Sequence, residues 1–182
     1  MPFISDEIAS QPDAWRAAAA TAARAIGMPE PGERVAVVGC GTSWFMAEAY
    51  AALREQGGFG ETDAFAASQF PHTRQYDRLV VISRSGTTTE ILQLLERHGE
   101  RCPTVALTSS AATPVVDLVR FPVEIAFAHE QSVVQTLFAS TALALLRASL
   151  GETLGALADA ADAVLTEPLA AEWISAEQIT FL

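Results

Sequence analysis

The sequence contains no lysine, because all 11 residues counted as Lys or Arg are arginines. This absence excludes a lysine-dependent phosphate loop, Schiff-base chemistry and any catalytic lysine within this chain. A compositional bias towards Arg and Ala explains the absence equally well, but the chemical exclusion holds either way. Cysteine is also scarce: Cys40 and Cys102 are too few for a disulfide scaffold or a zinc site.

Positive charge as a whole is in short supply. The 11 arginines face 22 acidic residues, which gives a formal net charge of −11. This balance argues against a broad surface for nucleic acid or anionic membranes, so we expect neither as a partner. The first 13 residues are acidic and lack an apolar core, unlike a signal peptide. The most apolar stretch, residues 132–151, contains Gln135 and Arg147 and predicts a buried helix. We therefore predict a cytoplasmic protein.

Apolar runs alternate with helical patterns from residue 34 onwards. Buried strands are predicted at 34–41, 61–71, 77–86, 103–110 and 120–128, the last at a sheet edge because it contains Pro122. Helices are predicted at 6–26, 42–58, 87–100, 112–119, 132–150 and 152–166. This alternation predicts an α/β fold, a three-layer α/β/α sandwich with parallel strands and right-handed crossovers.

The same patterns suggest how the chain is organised. Residues 1–30 form an N-terminal helical segment, and residues 31–168 form one α/β domain. Residues 169–182 end in an apolar pattern, Gln178–Leu182, that is typical of a new buried strand. It either pairs with the existing sheet or begins a second domain that this chain lacks, and we favour the second interpretation because an unpaired edge is unfavourable.

Three loops carry small hydroxyl residues where a predicted strand ends and a helix begins. They span Gly39–Trp44, Ser83–Glu90 and His129–Thr136. Ligands of open α/β sheets bind outside the carboxyl ends of the strands, and helix N-termini offer free N–H groups to anions. These loops therefore predict a neutral phosphate cradle. Arg84, the only cation of the second loop, is expected to assist a phosphate or to pair with an acid on a partner chain.

Other interpretations of these residues remain open. The hydroxyls would also serve as plain helix caps, with Thr42 or Ser43 capping the helix after the first strand. The first loop partly resembles a dinucleotide fingerprint, with Trp44 at its third glycine position and Asp63 as the ribose contact. Glu130 is predicted to cap a helix rather than act as a base. The histidines are predicted to be surface residues: His72, His98 and His129.

Taken together, these motifs resemble the sugar isomerase (SIS) domain family. The chain is similar to the first half of the isomerase region of glucosamine-6-phosphate synthase and to the AgaS-type amino-sugar-phosphate isomerases and deaminases. The resemblance rests on EIASQP at Glu7–Pro12, VVGCGTSW, SRSGTTTE and EQSVVQT, and it covers essentially the whole chain. It implies a five-stranded parallel sheet of order 2-1-3-4-5, a flavodoxin-like arrangement.

The resemblance also implies which residues bind a phosphorylated sugar or amino sugar. Hydroxyls of the second loop would hold the phosphate, with Arg84 at the loop's variable position, and the first loop would contact phosphate and sugar with Cys40 beneath. The backbone of the third loop would line the sugar, and Gln135 stands where the synthase has a serine. The implied binding residues are Cys40, Gly41, Thr42, Ser43, Ser83, Arg84, Ser85, Thr88, Val133, Val134 and Gln135.

Catalysis in such proteins depends on residues that this chain lacks. The resemblance assigns the ring-opening His, the proton-transfer Glu and the imine-forming Lys to the missing second half, so the catalytic residues here are unknown. The implied reaction is aldose–ketose isomerisation at C1 and C2, or deamination; the alternative is a non-catalytic sugar-phosphate sensor. No cofactor and no metal are expected. Apolar surface on the helices of residues 132–150 and 152–166 predicts a homodimer.

Overall fold

The computed structural model describes residues 3–168 and Ser175. The helices are α1 (Phe3–Ala9), α2 (Gln11–Ala22), α3 (Thr42–Gln56), α4 (Thr89–His98), α5 (Pro114–Asp117), α6 (Leu137–Ser149) and α7 (Gly155–Thr166). The strands are β1 (Val35–Gly39), β2 (Thr62–Ala66), β3 (Arg78–Ile82), β4 (Thr104–Thr108) and β5 (Phe121–Glu124). Within these residues, no helix is long and apolar enough to cross a membrane.

The five strands form one parallel sheet in the order β2-β1-β3-β4-β5. This confirms the predicted fold class and strand order. β5 lies at an edge, as its proline requires: Pro122 sits opposite Ala106 of β4 and has no N–H to offer a further strand. The order reverses between β1 and β3, so the loops that follow these two strands meet at one edge of the sheet.

Alternating strand residues face two separate apolar cores. Val35 and Val37 of β1 point towards α2, α3 and α6, whereas Ala36 and Val38 point towards α4. Both cores contain fully buried aliphatic side chains from the three central strands. The sheet is therefore the middle layer of a three-layer sandwich, because a parallel sheet must be covered on both faces.

The N-terminal stretch is two helices rather than one. Ser10 donates its hydroxyl hydrogen bond to the Glu7 carbonyl at 2.8 Å, and Pro12 occupies the first turn of α2. Proline lacks an N–H and is tolerated only in that first turn, so the chain restarts its helix there. Ala14 and Ala18 of α2 then pack into the same core as α6.

Two predicted helices begin later than the sequence pattern indicates. α6 starts at Leu137 rather than Ser132, because residues 131–135 form a loop whose geometry is described below. α7 starts at Gly155 rather than Glu152, and the Glu152 carboxylate pairs with Arg147 of α6 at 2.5 Å. The strand predicted at Gln178–Leu182 lies outside the described residues.

Candidate functional site

The first loop turns tightly from β1 into α3 on two glycines. A Cβ at Gly39 would lie 2.4 Å from the carbonyl carbon of Ser43, so only glycine allows this approach. Gly41 has a φ of 56° and is itself the N-cap residue of α3. The expectation that Thr42 or Ser43 caps this helix is therefore wrong, and their hydroxyls are not used as caps. Burial raises the pKa of the Cys40 thiol beneath the loop.

The second loop gathers hydroxyls at the start of α4. The Ser83 Oγ and Thr88 Oγ1 atoms are 3.5 Å apart, and Thr88 is the N-cap residue. The Ser85 Oγ accepts a hydrogen bond of 3.2 Å from the N–H of Thr87. Gly86 adopts a φ of 61°, which an L side chain rarely adopts. The loop thus presents hydroxyls and first-turn N–H groups together, the combination that binds oxyanions.

The third loop is fixed by Glu130. Its Oε2 accepts hydrogen bonds from the N–H groups of Thr136 and Leu137 at 2.9 and 2.8 Å. This confirms the prediction that Glu130 caps a helix. It also explains the late start of α6, because the carboxylate satisfies N–H groups that an earlier start would have used inside the helix.

A second carboxylate from the other end of the chain holds the same loop. The Oε1 of Glu7, on α1, accepts hydrogen bonds from the N–H groups of Gln131 and Ser132 at 2.6 and 3.1 Å. Burial raises the pKa of Glu7, but the hydrogen bonds from Ser132 and Gln131 and the charge of Arg84 outweigh it, so the pKa lies below its ordinary value. The acidic residue of the EIASQP motif therefore has a structural role in shaping this loop.

Arg84 links the second loop to the third. Its NH1 donates to the Ser132 carbonyl at 3.0 Å and lies 3.5 Å from the Oε1 of Glu130. Within its own chain, Arg84 therefore already has an acidic partner in Glu130. Among the described residues, Glu130 Oε1 and Glu7 Oε2 are buried without a hydrogen-bond partner.

The remaining predicted site residues differ in exposure. Val133 and Val134 are 94% and 64% exposed at the tip of the third loop. Gln135 is half-buried, and its Oε1 is buried with no hydrogen-bond partner among the described residues. The two valines therefore present apolar surface to solvent at the tip of a loop that Glu7 and Glu130 hold in place.

Sequence reasoning missed the residues that follow β4. Ser109 is buried and donates to the Arg84 carbonyl at 2.8 Å, and the Thr108 hydroxyl donates to the same oxygen at 3.2 Å. The hydroxyl run Thr108–Ser110 at the end of a predicted strand was the signal that would have found them. The predicted surface position of His98 is wrong, because this residue is buried. His129 is exposed, 3.5 Å from Ser109 through its Nδ1.

The loops after β1, β3 and β5 therefore meet at the carboxyl edge of the sheet, as the sequence predicts. Their donors are mainly backbone N–H groups and hydroxyls, with one arginine balanced by buried acids. Asp63, the candidate ribose contact, accepts a 2.7 Å hydrogen bond from Tyr76. Across residues 3–168, no group of three or more His, Cys, Asp or Glu side chains is placed to hold a metal ion.

Several solved structures are similar to this chain. A tagatose-6-phosphate ketose/aldose isomerase from Escherichia coli is 21% identical with a TM-score of 0.72, covering 88% of this chain and 52% of its own. A phosphosugar isomerase from Silicibacter pomeroyi is 21% identical with a TM-score of 0.68, and the match covers 87% of this chain and 55% of the isomerase. Vibrio vulnificus NanR complexed with ManNAc-6P is 18% identical with a TM-score of 0.62, and the match covers 88% of this chain and 65% of NanR.

These similarities establish that the chain has the fold of sugar isomerase domains, in agreement with the motif resemblance. The chain spans about half the length of the two isomerase structures. No protein-family model matches the sequence, and no curated protein matches it.

Proposed function

We propose that this chain binds a sugar phosphate or amino-sugar phosphate at the carboxyl edge of its sheet. The proposal rests on the 3.5 Å approach of the Ser83 and Thr88 hydroxyls at the first turn of α4. A helix N-terminus carries unpaired N–H groups and a partial positive charge, and hydroxyls add donors without a counter-charge. Such a cradle holds a phosphate without lysine, which suits this sequence.

The structural neighbours support a phosphorylated sugar as the ligand. One is described as a tagatose-6-phosphate ketose/aldose isomerase, and another is complexed with ManNAc-6P. We include Thr42 of the first loop in the cradle. The Thr42 hydroxyl does not cap α3, because Gly41 is the N-cap residue of that helix. The exposed valines of the third loop offer an apolar rim for the sugar ring.

In the complete protein we propose an isomerase or deaminase that works at C1 and C2 of the bound sugar. That reaction needs a base placed beside the substrate. The buried acid nearest the loops, Glu130, already accepts two backbone hydrogen bonds through its Oε2. The base is therefore proposed to come from outside the described residues, and the described part alone binds without turnover.

A sugar-phosphate sensor without catalysis is the second candidate function. It is favoured because the Glu130 carboxylate already accepts two backbone hydrogen bonds, which favours a structural role over action as a base. The neighbours include regulators, among them NanR and an RpiR transcription factor from Sphaerobacter thermophilus. We also propose a homodimer, because Leu157, Val164 and Leu165 on α7 are exposed. Light scattering that gives a monomer mass at high concentration would contradict the homodimer.

Calorimetry with glucose 6-phosphate and fructose 6-phosphate tests the binding proposal. We expect measurable binding that Ser83→Ala or Thr88→Val weakens about tenfold through loss of one donor to a charged group. Thr166→Val, an exposed hydroxyl on α7, is the matched control and leaves the affinity unchanged. Equal affinities for all four proteins would reject the cradle.

A coupled isomerase assay on the same preparation separates the two candidate functions. We expect no turnover by the 182-residue chain. Robust turnover would show that a base such as Glu130 acts in catalysis, and the Glu130→Gln variant would then lose it.

A further inference from the structure

A second concave surface lies at the opposite, amino edge of the sheet. It is formed where the chain enters β1, β3 and β4 and has a volume of about 750 Å³. Its lining residues are Arg34, His72, Thr73, Arg74, Gln75, Tyr76, Asp77, His98 and Arg101. We call this surface the amino-edge groove.

Arginine and histidine side chains are concentrated in this groove. Three of the eleven arginines and two of the three histidines line it, together with Asp77. The groove therefore brings three guanidinium groups and two imidazoles to one concave surface of a chain that is acidic overall.

Acids pair with two of the three arginines, and the third has no acidic partner among the described residues. Arg74 pairs with Asp63 at 3.2 Å in an exposed position, where such pairs contribute little. Arg34 pairs with Glu61 at 3.1 Å and lies over the Tyr76 ring. Arg101 forms no ion pair with any described residue.

Within the described part of the chain, Arg101 makes one side-chain hydrogen bond, from its NH1 to the His72 carbonyl at 2.7 Å. Most of its guanidinium donors therefore face the groove or solvent. A guanidinium that is anchored by one donor and leaves the others free is suited to bind an oxyanion through paired hydrogen bonds.

The imidazoles provide an independent sign of a missing partner. His98 is 5% exposed, and its Nδ1 has no hydrogen-bond partner among the described residues. The Nδ1 of His72 is buried and unpartnered in the same way. Buried polar atoms are nearly always hydrogen-bonded, so two such nitrogens at one groove point to a ligand or ordered solvent. Burial, together with the charges of Arg101 and His72, lowers the pKa of His98.

We propose that the amino-edge groove is a second binding site, for a small phosphorylated anion with more than one phosphate charge centre, such as free pyrophosphate or a nucleoside polyphosphate. Its volume falls within the range of small-molecule sites, about 300–1,000 Å³. The arginines supply planar forks for phosphate oxygens, and a neutral imidazole supplies one N–H donor in the tautomer that carries its proton on Nδ1. The site lies at the other sheet edge from the hydroxyl loops and does not rest on the proposed function.

Calorimetry of the full chain with pyrophosphate at low ionic strength tests this site. We expect binding that Arg101→Gln and Arg74→Gln each weaken about tenfold or more through lost charged hydrogen bonds. The control is Arg97→Gln, an exposed arginine of α4 that does not line the groove, and it keeps the affinity of the parent protein. No binding, or equal weakening by the control, would overturn the proposal.

Two further arms assign the location and the source of the anion. Thr88→Val must leave pyrophosphate binding intact, because a loss would place the anion at the hydroxyl loops and refute a second site. Nucleoside triphosphate and pyrophosphate are compared, and tighter binding of the nucleotide assigns the site to a nucleotide rather than to a free phosphate. In both cases the NMR-measured pKa of His98 should rise on binding, and an unmoved pKa would contradict the site.

Discussion

The two edges of the sheet use arginine in opposite ways. At the carboxyl edge, Arg84 lies against the buried carboxylate of Glu130 and fixes a loop for ligand contact. At the amino edge, Arg54 is fully buried and has no carboxylate partner among the described residues. It donates to the Glu30, Glu33 and Phe59 carbonyls and to the Thr62 hydroxyl. The first arrangement shapes a site, whereas the second holds the chain together.

The direction of the strands and helices explains this difference. In a parallel α/β sandwich, helices begin at the carboxyl edge and present free N–H groups there, so buried acids such as Glu130 are stabilised. Helices end at the amino edge and present free carbonyls and a partial negative charge, which attract arginine and histidine. The common direction of the helices therefore accounts both for the hydroxyl loops at the carboxyl edge and for Arg54 and the groove arginines at the amino edge.

Replacing the buried arginine should have the largest effect on stability. Arg54→Leu removes one hydrogen-bond donor from each of three carbonyls and from the Thr62 hydroxyl, and it leaves the Glu33 carbonyl without its guanidinium donor. We expect a loss of about 3 kcal/mol or more in the free energy of unfolding. Urea denaturation measures it. The control, Arg97→Leu, removes an exposed arginine and should cost less than about 0.5 kcal/mol. Similar losses for both variants would contradict the role given to Arg54.

The equivalent test at the carboxyl edge is Glu130→Ala. It removes the acceptor for the Thr136 and Leu137 N–H groups and leaves Arg84 without its acid. We expect a loss of about 2 kcal/mol, since capping acceptors contribute about 0.5–2 kcal/mol and the pair adds to this. Glu48→Ala, an exposed position on α3, is the control. A loss as large as that of Arg54→Leu would erase the contrast between the edges.

Most features of the carboxyl edge could be predicted from the sequence, because they depend on residues that are close together in the chain. The alternation of strands and helices and the three loops follow from local patterns, because apolar runs that end in Gly, Ser and Thr mark buried strands leading into helix N-termini. The strand order is expected only from the resemblance to sugar isomerase domains, since local patterns do not encode which strands are neighbours. The capping role of Glu130 is equally local. The contacts that hold the loops are not: Glu7 reaches Ser132 across 125 residues, and no periodicity encodes such a pair.

The amino edge could not be predicted for the same reason. His98 is the last residue of an amphipathic helix, a position where a polar side chain is usually exposed. In the structure it is buried beside Cys102, with its Nε2 3.3 Å from the Cys102 Sγ. Its burial depends on the turn that carries His72 and on Phe70, whose ring packs edge-on against it. Tertiary packing overrides local pattern at such positions.

Acid pH should reveal the role of Glu7 at the carboxyl edge. The pKa of Glu7 is lower in the folded protein than its ordinary value of 4.5, so its contribution to stability is fully present above 4.5 and disappears as the pH falls through the lower folded value. Glu7→Gln should therefore lose stability at pH 7 but converge with the parent protein in acid. Parallel stability curves from pH 7 down to pH 3 would contradict this.

A substitution at the tip of the third loop should have the smallest effect on stability. It tests ligand binding with little change to the fold. Val133 is 94% exposed, so Val133→Ser should change the free energy of unfolding by less than about 0.5 kcal/mol. The same change removes apolar surface from the rim proposed to contact the sugar, and burying even part of a valine contributes about 1 kcal/mol. Hexose 6-phosphate should therefore bind several-fold more weakly while pyrophosphate binding at the amino edge is unaffected. Unchanged affinity for both ligands would remove Val133 from the site, and weakening of both would show that the two edges are coupled rather than independent.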